Sequence, residues 1–582
     1  MLNFSPWTGW LIFDEFDILL LGALAGGYGQ LACSSRAGAG IRMPVVSWGL
    51  MTLLAGTGLL ALYRGIADAG GFSFNWFAGY TDALNSLRVF KSLGFALLFV
   101  PLLQHRLAHS RALAGQRLAG GIVVGLAAVT LAVMWERAAF PGLLDFSKRY
   151  RTVALFWEMH VGGAAIDAYM VMTTPLVVWA LVSARRPLLW AGVAALALLT
   201  GYACLTTFSR GVYFTVAGSL MLLGILLWAQ KSDFNALKFL GRVLQRHGFT
   251  GWRPKAALVL VLALVAEIVV VIVGGSFMTE RLVNTNRDMG SRLEHWQHGL
   301  DLLNGPTDWL LGKGFGRFPA NYAARVPQGE FSGDVKIREE PGMGGLANGF
   351  VTVHGPASMK KLGGLFALTQ RVSHVSDGPH HVNLKVRVEK EADVYLELCE
   401  RHLLYDGICQ TGFVRVLPGK TSWQALTLPL EGLTSAGTAW RAPRLGMLSL
   451  SIANAGAVAD FDDIRLIGPH QQDLLENGEF SAGLAHWFPA AQFYFLPWHT
   501  DNLFLEVLVE RGLAGLLLLA ALMICAFWHL MIGDARSLPL SPYLAASLSA
   551  VLLVGLVSSF MDVPRVAFLY YLLTLYSLQA GK

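Results

Sequence analysis

Charge is scarce in this chain. Lys, Arg, Asp and Glu make up 14% of its 582 residues, against about 25% in ordinary soluble domains, too few to cover a soluble surface of that size. Cysteine is thin as well, and five residues exclude a disulfide scaffold. Cys33, Cys204 and Cys525 lie in apolar runs and read as inert core thiols, whereas Cys399 and Cys409 flank a hairpin outside those runs and could pair if that side is oxidising. Met1 to Trp10 hold no Lys or Arg, so no cleavable signal with a basic start is expected. No group of His, Cys and carboxylates has zinc spacing, so no metal and no cofactor are expected. His374, His380 and His381 read as ordinary surface histidines. The run Gly312-Lys313-Gly314-Phe315-Gly316 lacks the preceding strand and the full spacing of a nucleotide loop, and the basic segments are too short to bind nucleic acid.

What is present is apolar: 54% of the chain is hydrophobic. Runs near the roughly 20 residues needed to cross a bilayer fall at Phe16–Cys33, Pro44–Tyr63, Leu84–Leu103, Leu118–Trp135, Val161–Val182, Leu188–Thr207, Val212–Trp228, Ala256–Phe277, Gly512–Ile532, Tyr543–Phe560 and Val563–Leu578. The expected fold is therefore an α-helical polytopic membrane protein of about eleven transmembrane helices, or twelve if one run conceals two. Loops with Arg36 and Arg42, with Arg106, Arg111 and Arg117, with Arg185 and Arg186, and from Lys231 to Lys255 are basic with almost no acids. Such loops face the cytoplasm, which places Asp14, Glu15 and Asp17 outside and Lys582 inside.

Residues from Met278 to about Thr500 then lie outside. Thr279 to Arg325 keep helical spacing, with Leu293, Trp296, Leu300 and Leu303 on one face. Beyond Phe350 the period becomes two: Val382, Leu384, Val386 and Val388, then Val394, Leu396 and Leu398, then Leu426, Leu428 and Leu430. This predicts an inserted extracytoplasmic β-sandwich, jelly-roll-like. The pieces Phe461-Asp462-Asp463-Ile464-Arg465-Leu466 and Asn477-Gly478-Glu479-Phe480 with Trp487 look like the ends of jelly-roll carbohydrate-binding modules. Sugar contact and a structural lid remain open alternatives. The expected division is 1–277 N-terminal spans, 278–345 membrane-proximal helices, 346–470 β-sandwich, 471–511 return segment, and 512–582 C-terminal spans.

Several cations are expected on the outer side, against the charge rule. Arg88 and Lys91 are one turn apart on the third span, Arg210 sits in the short turn Phe208-Ser209-Arg210-Gly211, and Arg292 follows the eighth span. Gathering them costs self-repulsion, which a bound diphosphate would offset. Each could instead snorkel to lipid head groups. Trp498, His499, Asp501, Asn502, Glu506, Glu510 and Arg511 lead into the ninth span, and ionisable groups at a membrane edge mark a functional site. Glu158 and His160 at the outer end of the fifth span, with Asp167 about two turns deeper, form a second catalytic candidate, the alternative being an internal salt bridge to Arg149 or Arg151.

Ser209-Arg210-Gly211, Arg292 followed by Trp296, Leu311-Gly312-Lys313-Gly314-Phe315-Gly316-Arg317-Phe318, and Asn502-Leu503-Phe504-Leu505 with Glu510, Gly512 and Leu513 resemble, in this order, the O-antigen ligase and O-antigen polymerase superfamily. The resemblance covers about Arg149 to Phe560 without the β-insertion, and the placement of Glu158 and His160 is similar to exopolysaccharide polymerases. It implies an integral glycosyltransferase in the bacterial inner membrane with its large domain in the periplasm. Such a protein transfers a glycan from an undecaprenyl-diphosphate-linked oligosaccharide to a glycan, lipid or protein acceptor hydroxyl, without a metal and with inversion, beside other polysaccharide assembly proteins. In the family a His directly precedes the Asn of the re-entry motif; here Asp501 holds that place and His499 stands two residues earlier. His499 is taken as the base, with Asp501 the alternative if the segment is extended; Arg210 and Arg292 would hold the diphosphate, assisted by Arg88 and Lys91. A transporter or flippase of lipid-linked glycans, or a non-catalytic glycan-binding scaffold, would use the same cations without a base.

Overall fold

The structure, a computed structural model, describes residues 15–33, 44–72, 82–154, 156, 163–231, 251–283, 285–325, 333–341, 347–356, 365–372, 378–402, 405–419, 422–432, 445–491 and 499–580. The helices are α1 (Glu15–Cys33), α2 (Val45–Asp68), α3 (Leu84–His109), α4 (Arg111–Ala139), α5 (Ala164–Ser183), α6 (Pro187–Thr206), α7 (Arg210–Lys231), α8 (Trp252–Val273), the short α9 (Ser276–Val283), α10 (Thr285–Leu300), α11 (Pro306–Leu311) and α12 (Phe318–Arg325), then α13 (Leu503–Met531), α14 (Ser541–Val554) and α15 (Pro564–Ala580). Among the described residues, nine of these, α1 to α8 and α13, are long and apolar enough to cross a membrane. They match the first nine expected runs. The last two runs fold as α14, with 14 residues, and α15, with 17, shorter than the roughly 20 that a straight crossing needs. Both are buried along most of their length, α14 against α5 and α7 and α15 against α3.

The apolar surface is that of a multi-pass membrane protein. On α8, Val259, Val261, Leu262, Val265, Val269 and Val273 are exposed, a stripe that water would penalise and hydrocarbon accepts. The bundle has two differently built ends. At one, Ser110 caps α4 by accepting from Leu113 N, Arg106 donates to Gln30 Oε1 at 2.5 Å, Gln230 to the Arg536 carbonyl at 3.2 Å, and the Arg253 guanidinium to the Ala184 carbonyl. The other end carries the β-domain and the buried charges.

That domain is broader than the sequence reading set it. Ten antiparallel strands run from β1 (Asp334–Pro341) and β2 (Ala347–His354) through β3 (Phe366–Val372), β4 (His380–Val388), β5 (Ala392–His402), β6 (Tyr405–Val416), β7 (Gln424–Gly432), β8 (Leu445–Ile452) and β9 (Val458–Ile467) to β10 (Trp487–Ala491). β1 and β10 lie outside the expected 346–470: β1 pairs with β2 and β10 with β3, so they form the two edges of the sheet. The order is β1-β2-β9-β4-β7-β6-β5-β8-β3-β10, and β6 meets β7 only at Gln410–Gly432 and Thr411–Glu431, so two five-stranded halves share a narrow seam and one core. The alternation was the reliable signal: Val382, Leu384, Val386, Val394, Leu396 and Leu398 are all buried. On the helical face expected before the domain, Leu293 is instead exposed and Leu303 buried.

Side chains singled out as surface groups fall differently. His380 is buried, its Nδ1 2.9 Å from Gln410 Oε1, while His374 lies outside the described residues. Trp487 is fully buried against Phe480 and donates to the Asn477 carbonyl at 3.0 Å, so it closes the core and offers no face to a sugar. Cys399 and Cys409, opposite each other on β5 and β6, form a disulfide; Cys204 is buried, but Cys33 is exposed, because an apolar run facing lipid leaves its thiol on the outside.

The tip of the β5–β6 hairpin rests on the bundle. His402 stacks on Phe140 at 3.5 Å and Tyr405 on Tyr150 at 4.3 Å, and the Tyr405 hydroxyl accepts from Arg151 N at 2.9 Å. Beneath them the buried Glu136 carboxylate accepts from Tyr150 Oη at 2.6 Å and from Val153 N and Ala154 N. This pins the segment that carries Arg151.

Candidate functional site

The site is built on a broken helix. Asn502 caps α13, its Oδ1 accepting from Phe504 N at 3.0 Å and Leu505 N at 3.1 Å while its Nδ2 donates to the Leu556 carbonyl. Two residues past Glu510 the helix breaks at Gly512, with φ 65° and ψ −170°, a conformation glycine tolerates; a Cβ there would lie 2.3 Å from the Leu310 carbonyl carbon. The break deprives the Val509 and Glu510 carbonyls of their helical donors. Lys313 N and Gly314 N replace them at 2.8 and 2.9 Å, and Gly316 N donates to Glu510 Oε1 at 2.7 Å. The glycine-rich run is thus a backbone splint, wedged so tightly that a Cβ on Gly314 would meet Gly65 N at 2.2 Å. Its cations are engaged by carboxylates, Lys313 by Asp308, which also holds Arg64 of α2, and Arg317 by Asp68 of α2.

Just before the cap, His499 lies between two carboxylates. Its Nε2 is 3.2 Å from Asp501 Oδ1 and its Nδ1 3.2 Å from Asp562 Oδ1. Burial opposes charging the imidazole, but the Asp562 charge and the hydrogen bonds to Asp501 and Asp562 outweigh it and hold the pKa well above the ordinary histidine range. Burial likewise disfavours the Asp501 carboxylate, yet the His499 hydrogen bond and charge, with Arg292, bring its pKa down to about 2. Asp501 is therefore anionic and His499 cationic at neutral pH. The Asp501 backbone has φ 51°, strained for a residue with a Cβ, and its side chain is 18% exposed where that of His499 is 2%.

The surroundings fix this chain. Arg292 Nη2 is 3.8 Å from Asp501 Oδ2, and its Nη1 donates to the Val557 carbonyl. Arg88 donates to the Asp562 carbonyl at 2.6 Å and to Asn85 Oδ1 at 2.7 Å. His295 Nε2 is 2.9 Å from the His499 carbonyl and its Nδ1 3.0 Å from the Tyr322 hydroxyl. A carbonyl only accepts, so Nε2 bears the proton, and burial pulls the His295 pKa down, keeping that ring neutral.

Of the residues proposed from sequence, His499, Asp501, Arg292 and Arg88 thus meet in one layer. Arg210 belongs to a neighbouring group: it donates to the Arg281 carbonyl at 2.8 Å, Asp167 pairs with Arg151 at 3.3 Å, and the Asp167 carboxylate lies within electrostatic reach of both Arg281 and Arg292. Lys91 turns away to Asp17 at 2.7 Å. Glu158 and His160, like Trp498, lie outside the described residues. Sequence reasoning missed Asp562, His295 and Tyr322. Asp562 was open to discovery, since an acid between two apolar runs is itself a signal; His295 and Tyr322 carried none.

His499, Glu506 and Asp562 each present a ligand atom within 4.8 Å of the others, and both Glu506 carboxylate oxygens are buried without a hydrogen bond, so these three could hold a metal ion. Such an ion would displace the His499 proton. Without one, the layer is a part-buried carboxylate backed by a buried imidazolium and flanked by guanidinium, which can accept a proton and hold an anion side by side. No family model, curated protein or solved structure matches the chain.

Proposed function

We propose that this protein is an integral membrane glycosyltransferase that moves a glycan from a lipid diphosphate carrier to an acceptor hydroxyl, at the periplasmic face of a bacterial inner membrane. The observation that carries this reading is the Asp501–His499–Asp562 chain with Arg292 beside it, at the helix re-entry whose sequence resembles O-antigen ligases and polymerases. The side is assigned from the basic loops of the sequence, whose described residues Arg106, Arg111, Arg185, Arg186 and Arg253 lie at the end of the bundle opposite His499.

The chemistry follows from charge. The anomeric C–O bond to the diphosphate breaks with its electron pair going to phosphate oxygen, and Arg292, with Arg210 from the neighbouring group, stabilises that developing charge. The acceptor oxygen attacks from the opposite face, which inverts the anomeric centre. Its proton goes to Asp501 rather than to His499, because the imidazole is buried and already protonated whereas the carboxylate is anionic and partly exposed. A carboxylate suffices as base once the attacked carbon has become cationic and acidified the incoming hydroxyl. His499 orients Asp501, Asp562 and Arg88 hold His499, and the β5–β6 hairpin pins the segment carrying Arg151.

The test is to incubate the purified protein with a carrier-linked oligosaccharide and size the products. A ladder identifies a polymerase, and a single shift of an added acceptor a ligase. Unchanged glycan with faster movement across vesicles would replace this reading with a transporter, and unchanged glycan without movement with a scaffold.

A further inference from the structure

At the end of the bundle remote from His499, a cavity of about 930 Å3 opens between α1, α3, α4 and α15. Its rim carries Arg106, Arg117, His105 and His109, and no Asp or Glu is among its described lining residues. Its walls are apolar, with Leu103 from α3, Leu113 from α4 and Leu572 from α15, and Leu98 is exposed on α3. The surface chemistry therefore changes from cationic to apolar within one opening, at the level where spanning helices end. Neither the proposed reaction nor packing requires it: the basic groups come from both sides of the α3–α4 turn, where mutual repulsion would favour placing them apart.

We propose that this cavity binds an anionic diacyl phospholipid of the leaflet at the basic end, its phosphodiester held by Arg106 and Arg117 and an acyl chain laid against Leu103 and Leu572. Guanidinium groups bind phosphate oxygens through paired N–H donors and stay charged at any working pH. Basic pockets between spanning helices are suited to lipid head groups of this kind. A free phosphate would satisfy the cations but leave the apolar walls uncovered, and a zwitterionic lipid would bring a second cation to a rim that is already basic. The bound lipid would tie α1 and α15 to the α3–α4 hairpin and so hold together the helices whose far ends carry Asp17, Arg88 and Asp562.

Native mass spectrometry of the full chain in detergent with equimolar phosphatidylglycerol and phosphatidylcholine tests this. The wild type should retain phosphatidylglycerol, and Arg106→Gln/Arg117→Gln should lose roughly thirtyfold in retention, as expected for removing two basic groups from a lipid head-group site. Leu572→Trp, which fills the cavity and leaves every cation in place, should expel the lipid too. Arg185→Gln/Arg186→Gln, at the same end but outside the cavity, should retain it. Equal retention by wild type and the Arg106/Arg117 variant, equal loss in the Arg185/Arg186 variant, or displacement of the lipid by millimolar inorganic phosphate would each overturn the assignment, the last by making the cavity a free-anion site.

Discussion

The helical bundle and the β-domain both contain many charges, and they pair them in opposite ways. In the β-domain the exposed cations pair with near neighbours, Arg415 with Asp393 on the adjoining strand and Arg465 with Asp463 on its own strand. The hydrophobic core there is Val, Leu, Ile, Ala, Phe and Trp, and the buried Arg401 pairs with Glu397 only four residues away. In the bundle the partners lie far apart in sequence: the buried His499 with Asp562, the part-buried Arg292 with Asp501, and Arg88 with the Asp562 backbone. Surface pairs contribute little to stability, whereas breaking a buried pair strands a charge in low dielectric. The difference teaches where function is held: the β-domain can lose ion pairs cheaply, and the His499 layer cannot.

The comparison breaks or sharpens with single substitutions. Asp501→Asn keeps size and hydrogen-bonding reach but removes the base, and should lower glycan transfer about a thousandfold in single-turnover product sizing, within the usual range for general base catalysis. Unchanged transfer would reassign the base. Next, Arg292→Ala should reduce transfer by roughly a hundredfold, the scale for deleting one group that stabilises developing charge, with membrane insertion unchanged. Asp562→Leu leaves the buried His499 with one carboxylate; it should destabilise by about 3–5 kcal/mol, the range for a broken buried pair, read as a fall in melting temperature of the detergent-solubilised protein. Arg415→Ala in the β-domain, which removes an exposed cation, should leave the melting temperature nearly unchanged, and a loss as large as that of Asp562→Leu would erase the contrast between the two regions. Smallest of all, exhaustive EDTA treatment should leave transfer within about twofold, since the layer has its own cations to stabilise a leaving phosphate; loss restored by one divalent ion would turn His499, Glu506 and Asp562 into a metal site.

The same contrast explains what could be read from sequence. Period-two alternation at Val382–Val388 and Val394–Leu398 reports a core directly, because each strand's burial is decided by its own residues. Spanning helices are legible for the same reason, down to the two final runs, which fold as short buried helices because neighbours rather than lipid surround them. Edge strands β1 and β10 escaped, since their pairing is set by chain segments far away. The glycine-rich run Gly312–Gly316 was visible as a pattern, but its purpose, supplying donors to the broken α13, needed the kink at Gly512 to be seen. The site was half legible: His499, Asp501, Arg292 and Arg88 stood out by type and place, while which of the first two bears the proton depended on Asp562, over sixty residues away.

That proton state can be measured directly. The account predicts that the single-turnover rate of glycan transfer by the wild-type protein shows no inflection near the ordinary histidine value, because the Asp501 carboxylate, with its pKa at about 2, is already ionised there and Asp562 and Asp501 hold the His499 pKa well above that value. A rate that climbs through a midpoint near the ordinary histidine value of about 6.5 would contradict it and make His499 the base; absence of product at every pH would contradict glycan transfer itself.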